Sequence, residues 1–179
     1  MTRIGIYFGC FIPLHKGHEA IIKTALAEND HLILGICGYD NDRGHDYIPF
    51  RQRINLISKL YGRHKNMTLA VVDDKKIGLT GTFSLNAWET WCNELFKKSG
   101  FDPSNKANQY VWYSGEEDYL EKIQQLYPSH EMRHISRDLI PISGTEIRTN
   151  TSKYITHINP LFALYLAARE LLEDNKHEV

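Results

Sequence analysis

Residues 9–18 of the chain read GCFIPLHKGH and directly follow the apolar run RIGIYF. Glycine, proline and histidine are thus concentrated where a short buried strand is predicted to end. Gly9 allows the backbone to turn sharply, and Gly17 removes a side chain where a ligand could approach the start of a helix. The N–H groups and the dipole of a helix start favour phosphate, to which His15 and His18 could donate further hydrogen bonds. The stretch therefore predicts a phosphate-binding turn between a strand and a helix.

Taken alone, the same ten residues allow other interpretations. Glycine-rich turns are common, and a histidine is often an ordinary surface or core residue. The His-x-x-His spacing also suits zinc, but no third ligand stands at a recognisable spacing. The familiar phosphate motifs GxxxxGK[ST] and GxGxxG are both absent from the chain. The turn needs support from elsewhere in the sequence.

A second stretch, residues 142–148, reads ISGTEIR and follows RDLIP. Ser143 suits a helix N-cap, and Glu146 three residues later completes a capping box. Thr145 and Arg148 would project near the same helix start, where a guanidinium beside hydroxyls can bind the outer phosphates of a triphosphate. On its own, however, the heptapeptide is better explained as an ordinary capped surface helix.

Short apolar runs alternate with amphipathic segments along the whole chain. Strands are predicted at 3–9, 31–39, 67–74, 109–115 and 131–137. Helices are predicted at 17–29, 50–64, 86–100, 116–127 and 159–175. This alternation indicates βαβ units, and therefore an α/β fold around a parallel sheet of about five strands. No linker or repeat divides the chain, so we expect one domain over 1–179 with a C-terminal helical part at about 143–175.

The composition excludes several classes of protein. The 179 residues are 42% hydrophobic and 24% charged, as expected of a domain with a buried core. A formal net charge of −1 argues against a general nucleic-acid-binding protein. There is no apolar run of about 18 residues and no signal-peptide pattern, so neither a membrane span nor secretion is expected. The three cysteines lack a CxxC pair and favour reduced thiols in a cytoplasmic protein.

The two polar stretches together resemble the nucleotidyltransferase superfamily with the HxGH signature. The superfamily patterns GxFxPxHxGH and ISxTxxR both stand intact. The resemblance implies a Rossmann-like three-layer sandwich that transfers an adenylyl or cytidylyl group from a nucleoside triphosphate and releases pyrophosphate. The RTxG element that precedes ISTT in cytidylyltransferases is missing, which favours ATP as the donor. The matching residues are Gly9, Phe11, Pro13, His15, Gly17, His18, Ile142, Ser143, Thr145 and Arg148.

The segment FSLNAWETW at 83–91 suggests an acceptor. Trp88, at a predicted loop-to-helix junction, could stack on a flat aromatic cation, and the Asn86 amide could pair with a carboxamide. A nicotinamide ring with its positively charged nitrogen meets both demands. The alternative is that Trp88 and Trp91 are core residues of an amphipathic helix, which is the better interpretation of Trp91.

Over most of residues 3–160 the chain resembles the adenylyltransferase domain of bifunctional nicotinamide mononucleotide adenylyltransferase/ribosylnicotinamide kinase proteins. The segments that carry this resemblance are PFRQRINLI, LNAWETWCNELF, VWYSGEEDYLEKI and ISGTEIRTNTSKYITHI. It implies that ATP, accompanied by Mg²⁺, reacts with nicotinamide mononucleotide to give NAD and pyrophosphate in NAD biosynthesis or salvage. The chain has no P-loop, and no DNA-binding segment precedes Arg3, so neither kinase activity nor a transcriptional role is expected.

These considerations define a predicted site without protein ligands to a metal. The catalytic residues are predicted to be His15, His18 and Arg148. The residues expected to bind ATP are Gly9, Phe11, Gly17, Ser114, Gly115, Glu116, Ile142, Ser143 and Thr145. The residues expected to bind the acceptor are Cys10, Lys16, Asn86 and Trp88.

Several questions stay open at the level of sequence. Position 10 is Cys where many members of the family carry Lys or Arg, so Lys16 or Arg43 would have to contact the mononucleotide phosphate, or the acceptor differs. The role of Arg53, substrate contact or brace of the fold, is undecided, and 41–50 is predicted to be a mobile loop that closes on substrate. The rival functions are adenylyl transfer to nicotinate mononucleotide or 4′-phosphopantetheine, and a non-catalytic NAD- or ATP-binding sensor. The sequence does not decide whether the chain forms a homo-oligomer.

Overall fold

The computed structural model describes residues 1–42, 46–79, 84–136 and 142–177, with side chains as far as 173. Its described part contains five strands in one parallel sheet of order β3-β2-β1-β4-β5. The strands are β1 (Thr2–Gly9), β2 (His31–Gly38), β3 (Met67–Asp73), β4 (Asn108–Ser114) and β5 (Glu131–His134). The chain moves outward from β1 to β3 and then returns to place β4 on the other side of β1. The order of the strands therefore reverses between β1 and β4, where open α/β sheets bind their ligands.

Helices cover both faces of this sheet. The helical segments are α1 (Lys16–Glu28), α2 (Phe50–Tyr61), α3 (Leu85–Ser99), α4 (Glu117–Leu126), α5 (Gly144–Thr149), α6 (Thr151–Tyr154), a 3₁₀ turn (Ile155–His157) and α7 (Pro160–His177). One apolar core contains buried residues of α1, α2 and the C-terminal segments, and the other contains those of α3 and α4. The predicted three-layer, Rossmann-like α/β sandwich is thus confirmed. No helix in the described ranges combines the length and apolar character that crossing a membrane requires.

The ends of several helices follow the local sequence signals. Gly100 adopts a left-handed φ of 76° and ends α3. Ser143 and Glu146 form the predicted capping box at α5. The predicted helical part from 143 is interrupted, because Asn150 ends α5 and its Oδ1 accepts from the N–H of Lys153 to begin α6. β5 stops at His134, three residues before its predicted end; residues 137–141 lie outside the described ranges.

The predicted loop at 41–50 is described only in part, since Arg43 and the two residues after it fall outside the described ranges. Its second half is attached to the C-terminal segments. The Tyr47 hydroxyl lies 2.7 Å from Thr151 Oγ1, and Arg169 donates to the carbonyl of Tyr47 at 2.9 Å. Closure of this loop on substrate stays a prediction.

Arg53 is a brace of the fold. Its side chain, in a residue only 1% exposed, donates to the carbonyls of Cys10 at 2.8 Å, Cys37 at 3.3 Å, Tyr39 at 2.8 Å and Ile48 at 3.1 Å. Burial lowers the pKa of the guanidinium. These bonds join the carboxyl ends of β1 and β2 to the segment that leads into α2. Arg53 therefore supports the turn that begins at Gly9.

Replacement of Arg53 by Met should lower the free energy of unfolding by about 3–5 kcal/mol, because four carbonyls lose their donor in a buried place. Arg51→Met is the matched control, since Arg51 is exposed on the same helix and should change stability by no more than about 0.5 kcal/mol. Urea unfolding of the two variants measures the difference. Equal stability of the two would contradict the bracing role.

Candidate active site

A cavity of about 400 Å³ lies beyond the carboxyl ends of β1 and β4. Its wall is built from the turn after β1, the first turns of α1, the turn after β4 and the start of α5. It therefore occupies the place where the strand order reverses. The predicted site residues in its wall are Gly9, Cys10, Phe11, His15, Gly17, His18, Ser114, Gly115, Glu116, Ile142, Ser143, Thr145 and Arg148.

The two histidines cap α1. His15 Nδ1 accepts from the N–H of Gly17 at 3.2 Å, and His18 Nδ1 accepts from the N–H of His15 at 3.4 Å. The two rings are stacked with centroids 3.7 Å apart, and the Phe11 ring meets His18 edge-on at 5.1 Å. Since Nδ1 of each neutral ring is an acceptor, the proton of each ring is on Nε2. The sequence predicted that the two rings would donate N–H groups, but it did not reveal that they cap the helix. The signal for this cap is a histidine at both capping-box positions, the N-cap and the third residue of the helix.

The start of α5 contacts the turn after β1. Arg148 Nη1 donates to the carbonyl of Ile12 at 2.7 Å, and Nη2 donates to Thr145 Oγ1 at 3.2 Å. A Cβ at position 144 would lie 3.0 Å from the oxygen of Ile12, so the approach of the two segments favours glycine there. The structure thus brings 9–18 and 142–148 together around one cavity, with the guanidinium plane held beside it.

The turn after β4 forms another part of the wall. Ser114 is buried, and its hydroxyl accepts from the N–H of Glu116 at 2.9 Å, which fixes the shape of the turn. Three aromatic residues outside the predicted set line the cavity (Tyr7, Phe8 and Tyr119), and two of them, Phe8 and Tyr119, lie side by side. Their rings are nearly parallel, with centroids 6.2 Å apart. Their positions were available as signals, because Phe8 nearly ends β1 and Tyr119 follows Glu116 by three residues on a predicted helix.

The remaining predicted acceptor residues lie outside this wall. Trp88 is 4% exposed and packs against Trp91 and Tyr119, with ring centroids 5.9 and 5.0 Å away. Trp88 therefore lies in the core in this structure, in agreement with the alternative interpretation. Trp91 is 1% exposed and is a core residue, as expected. Asn86 and Lys16 are both exposed near the starts of their helices. Contacts of Asn86, Lys16 and Trp88 with an acceptor stay predictions.

A buried acid lies at the end of β3. Asp74 is 8% exposed, and its Oδ1 has no hydrogen-bond partner within the described ranges. Burial, and after it the charge of the neighbouring Asp42, raise the pKa of Asp74 to about 7, and a hydrogen bond with Trp91 opposes both. The sequence showed only two consecutive aspartates after a strand, which is not a signal for burial.

Comparison with known proteins identifies what the chain is similar to. The model of the family described as cytidylyltransferase-like matches residues 6–150. A protein of Salmonella typhimurium, the trifunctional NAD biosynthesis/regulator protein NadR, is 27% identical over 181 aligned positions, which cover 92% of this chain and 42% of that protein. This chain therefore spans less than half the length of that relative.

Two further similarities bear on the site. A crystal structure of NadR protein in complex with NAD and AMP-PNP superposes with a TM-score of 0.71 and 29% sequence identity, over 90% of this chain and 46% of that one. The phosphopantetheine adenylyltransferase of Cytophaga hutchinsonii is 27% identical over 144 positions, covering 78% of this chain and 88% of that protein.

Asp74 gives the stability of the protein a characteristic pH dependence. Because its folded-state pKa is about 7 rather than the ordinary 3.8, the folded chain binds more protons than the unfolded chain between these values. The free energy of unfolding therefore decreases as the pH rises through this window. Asp74→Asn removes this decrease, and its stability relative to the parent should be greater at about pH 8 than at about pH 5 by more than about 1 kcal/mol. Urea unfolding at both pH values measures the difference, and a pH-independent difference would contradict the assignment.

Proposed function

The chain belongs to the cytidylyltransferase-like family, and on this basis we propose that it transfers the adenylyl group of ATP to nicotinamide mononucleotide, giving NAD and pyrophosphate. The observation that carries the proposal is the meeting of His15, His18 and Arg148 at one cavity beyond the ends of β1 and β4. The similarity to a structure of NadR protein in complex with NAD and AMP-PNP supports a dinucleotide product and an adenine nucleotide donor.

The proposed chemistry needs positioning and charge stabilisation rather than a covalent intermediate. The acceptor phosphate is already anionic and attacks the α-phosphorus of ATP in line, so no general base is required. His15 and His18 donate from Nε2 to the triphosphate, with His18 nearest the α-phosphate and the leaving oxygen. Arg148, Thr145 and the backbone at Ser143 hold the outer phosphates, where negative charge accumulates as pyrophosphate leaves.

Mg²⁺ is proposed to arrive with ATP as part of the substrate. Among the described residues there is no cluster of three or more His, Cys, Asp or Glu side chains suited to a metal ion. The cavity wall nevertheless contains the carboxylate of Glu116. Mg²⁺ commonly keeps several waters and binds through substrate phosphates with few protein ligands, which agrees with this donor set.

A second acceptor, 4′-phosphopantetheine, has a specific observation in its favour. The phosphopantetheine adenylyltransferase of Cytophaga hutchinsonii matches 78% of this chain. In addition, position 10 is Cys, without the basic side chain that the resemblance leads us to expect beside a mononucleotide phosphate. The reactions with the two acceptors would use the same donor, ATP, and the same triphosphate-binding residues. Comparing the rates with each acceptor therefore distinguishes the two functions.

The purified chain, incubated with ATP and Mg²⁺, should form NAD from nicotinamide mononucleotide with a kcat/KM at least about tenfold above that for nicotinate mononucleotide. The reason is that Asn86 can pair with a carboxamide, whereas the acid adds a negative charge. Pyrophosphate release and dinucleotide formation are measured in parallel, with 4′-phosphopantetheine as the third acceptor. Preference for the acid or for phosphopantetheine would refute the proposed acceptor, and nucleotide binding without any pyrophosphate would favour a sensor.

His18→Ala should lower kcat by about 10²–10³, because it removes a donor that acts on the developing charge. His18→Asn separates this role from capping, since its Oδ1 can still accept from the N–H of His15 while the donor at Nε2 is lost; it should be equally impaired. His64→Ala, an exposed histidine before β3, is the matched control. Turnover by His18→Ala within about threefold of the parent would overturn the assignment.

A further inference from the structure

Two thiols lie side by side, and one of them, that of Cys10, is in the wall of the cavity. Cys10 Sγ is 4.0 Å from Cys37 Sγ. The sheet explains this proximity: Gly9 of β1 is in register with Ile36 of β2, so Cys10 and Cys37 are the next residues along the two neighbouring segments. Arg53 bonds to the carbonyls of both cysteines and holds the two segments together.

We propose that Cys10 and Cys37 form a reversible redox site, which an oxidised low-molecular-weight disulfide converts to an intramolecular disulfide. Neighbouring strands lie about 4.8 Å apart, within the range of roughly 4.4–6.8 Å between Cα atoms that disulfides span. An S–S bond is about 2.05 Å long, so the two sulfurs need to approach by about 2 Å, which side-chain rotation can supply. In a reducing compartment such a bond is transient, as is typical of redox-responsive cysteines.

The surroundings of the two thiols differ and set the order of reaction. Cys10 is half-buried and lines the cavity, where a small oxidant can reach it. Cys37 is 7% exposed, and both its hydrogen bond with Cys10 and its burial raise its pKa. Cys10 is therefore the residue that an oxidant meets first, and Cys37 is the resolving thiol.

The exchange balances as two thiol–disulfide steps. The thiolate of Cys10 attacks one sulfur of the oxidant RSSR, a bond forms between Cys10 Sγ and one RS group, and the other leaves as a thiolate. Cys37 Sγ then attacks Cys10 Sγ and displaces the second RS group. The protons of the two cysteines pass to the two departing groups. The cysteine pair loses two electrons, and RSSR is reduced to two RSH.

Disulfide formation changes the wall of the cavity, because Cys10 Sγ moves away from the cavity and towards Cys37. If the proposed function is correct, this change lies on the acceptor side and should raise the KM for the acceptor several-fold, with recovery on addition of dithiothreitol. The expected change in the KM for the acceptor rests on the proposed function, whereas formation of the disulfide bond does not.

The test equilibrates the whole reduced chain with mixtures of oxidised and reduced glutathione, followed by acid quenching, alkylation under denaturing conditions and mass spectrometry. The expected result is that Cys10 and Cys37 lose their reactivity together and appear in one disulfide-linked peptide pair. Cys92 is an internal control, since it is fully buried and burial raises its pKa to about 12. It should therefore escape oxidation in the folded chain and still be alkylated after denaturation. Stable glutathionylation of Cys10 with Cys37 still reduced, or no reaction of either, would overturn the proposal.

Variants extend the test without depending on activity. Cys37→Ala lacks the resolving thiol and should accumulate glutathione on Cys10, whereas Cys92→Ala should form the disulfide as the parent does. Absence of glutathione on Cys10 in folded Cys37→Ala would contradict the assigned order. A chain that forms the disulfide but makes no NAD when reduced would refute the proposed function and leave the redox site standing.

Discussion

The hydrogen bond from Arg148 to the carbonyl of Ile12 joins two segments that are 136 residues apart in sequence. Each segment alone is ordinary: one is a turn after a strand, and the other is the start of a six-residue helix. Their contact turns two separate walls into one cavity with a fixed distance between the histidine pair and the guanidinium. Gly144 permits this contact, because a side chain there would meet the same carbonyl. The candidate site therefore depends on tertiary structure more than on either motif.

The strands and most helices were predictable because buried parallel strands are short and apolar, whereas the helices between them repeat their apolar residues with a helical period. The meeting of 9–18 and 142–148 was predicted from the resemblance to the HxGH nucleotidyltransferases, which rests on both motifs together. What could not be predicted was the direction of individual groups. Sequence does not show that His15 Nδ1 faces a backbone N–H, that Tyr119 covers Trp88, or that Asp74 is buried. These facts depend on packing between elements distant in the chain.

The carboxyl ends of β1, β2 and β3 concentrate ionisable groups under the site. Arg53 is buried there, where the charge of Asp42 acts on its guanidinium and the charge of Asp74 acts on the Cys37 thiol. A Cβ at position 38 would lie 2.8 Å from Asp42 Oδ2 and 3.1 Å from Arg53 Nη1, and Gly38 also has a φ of +112°. Because residue 38 has no side chain, the Arg53 guanidinium and the Asp42 carboxylate can both approach the backbone next to Cys37. The same few residues hold the turn and surround the thiol pair.

The reciprocal histidine cap has a consequence for how α1 responds to an anion. Each imidazole is bonded through Nδ1 to a backbone N–H. Under the proposed function, the Nε2–H of each ring donates to a phosphate oxygen. When an anion accepts from Nε2, the ring becomes more electron-rich and Nδ1 becomes a better acceptor, so the two bonds strengthen each other. Binding is then transmitted through the aromatic rings into the peptide backbone. Under the proposed function we expect the first turn of α1 to become stiffer when phosphate binds in the cavity, and hydrogen exchange at the amide of Gly17 to slow although no new protein contact forms.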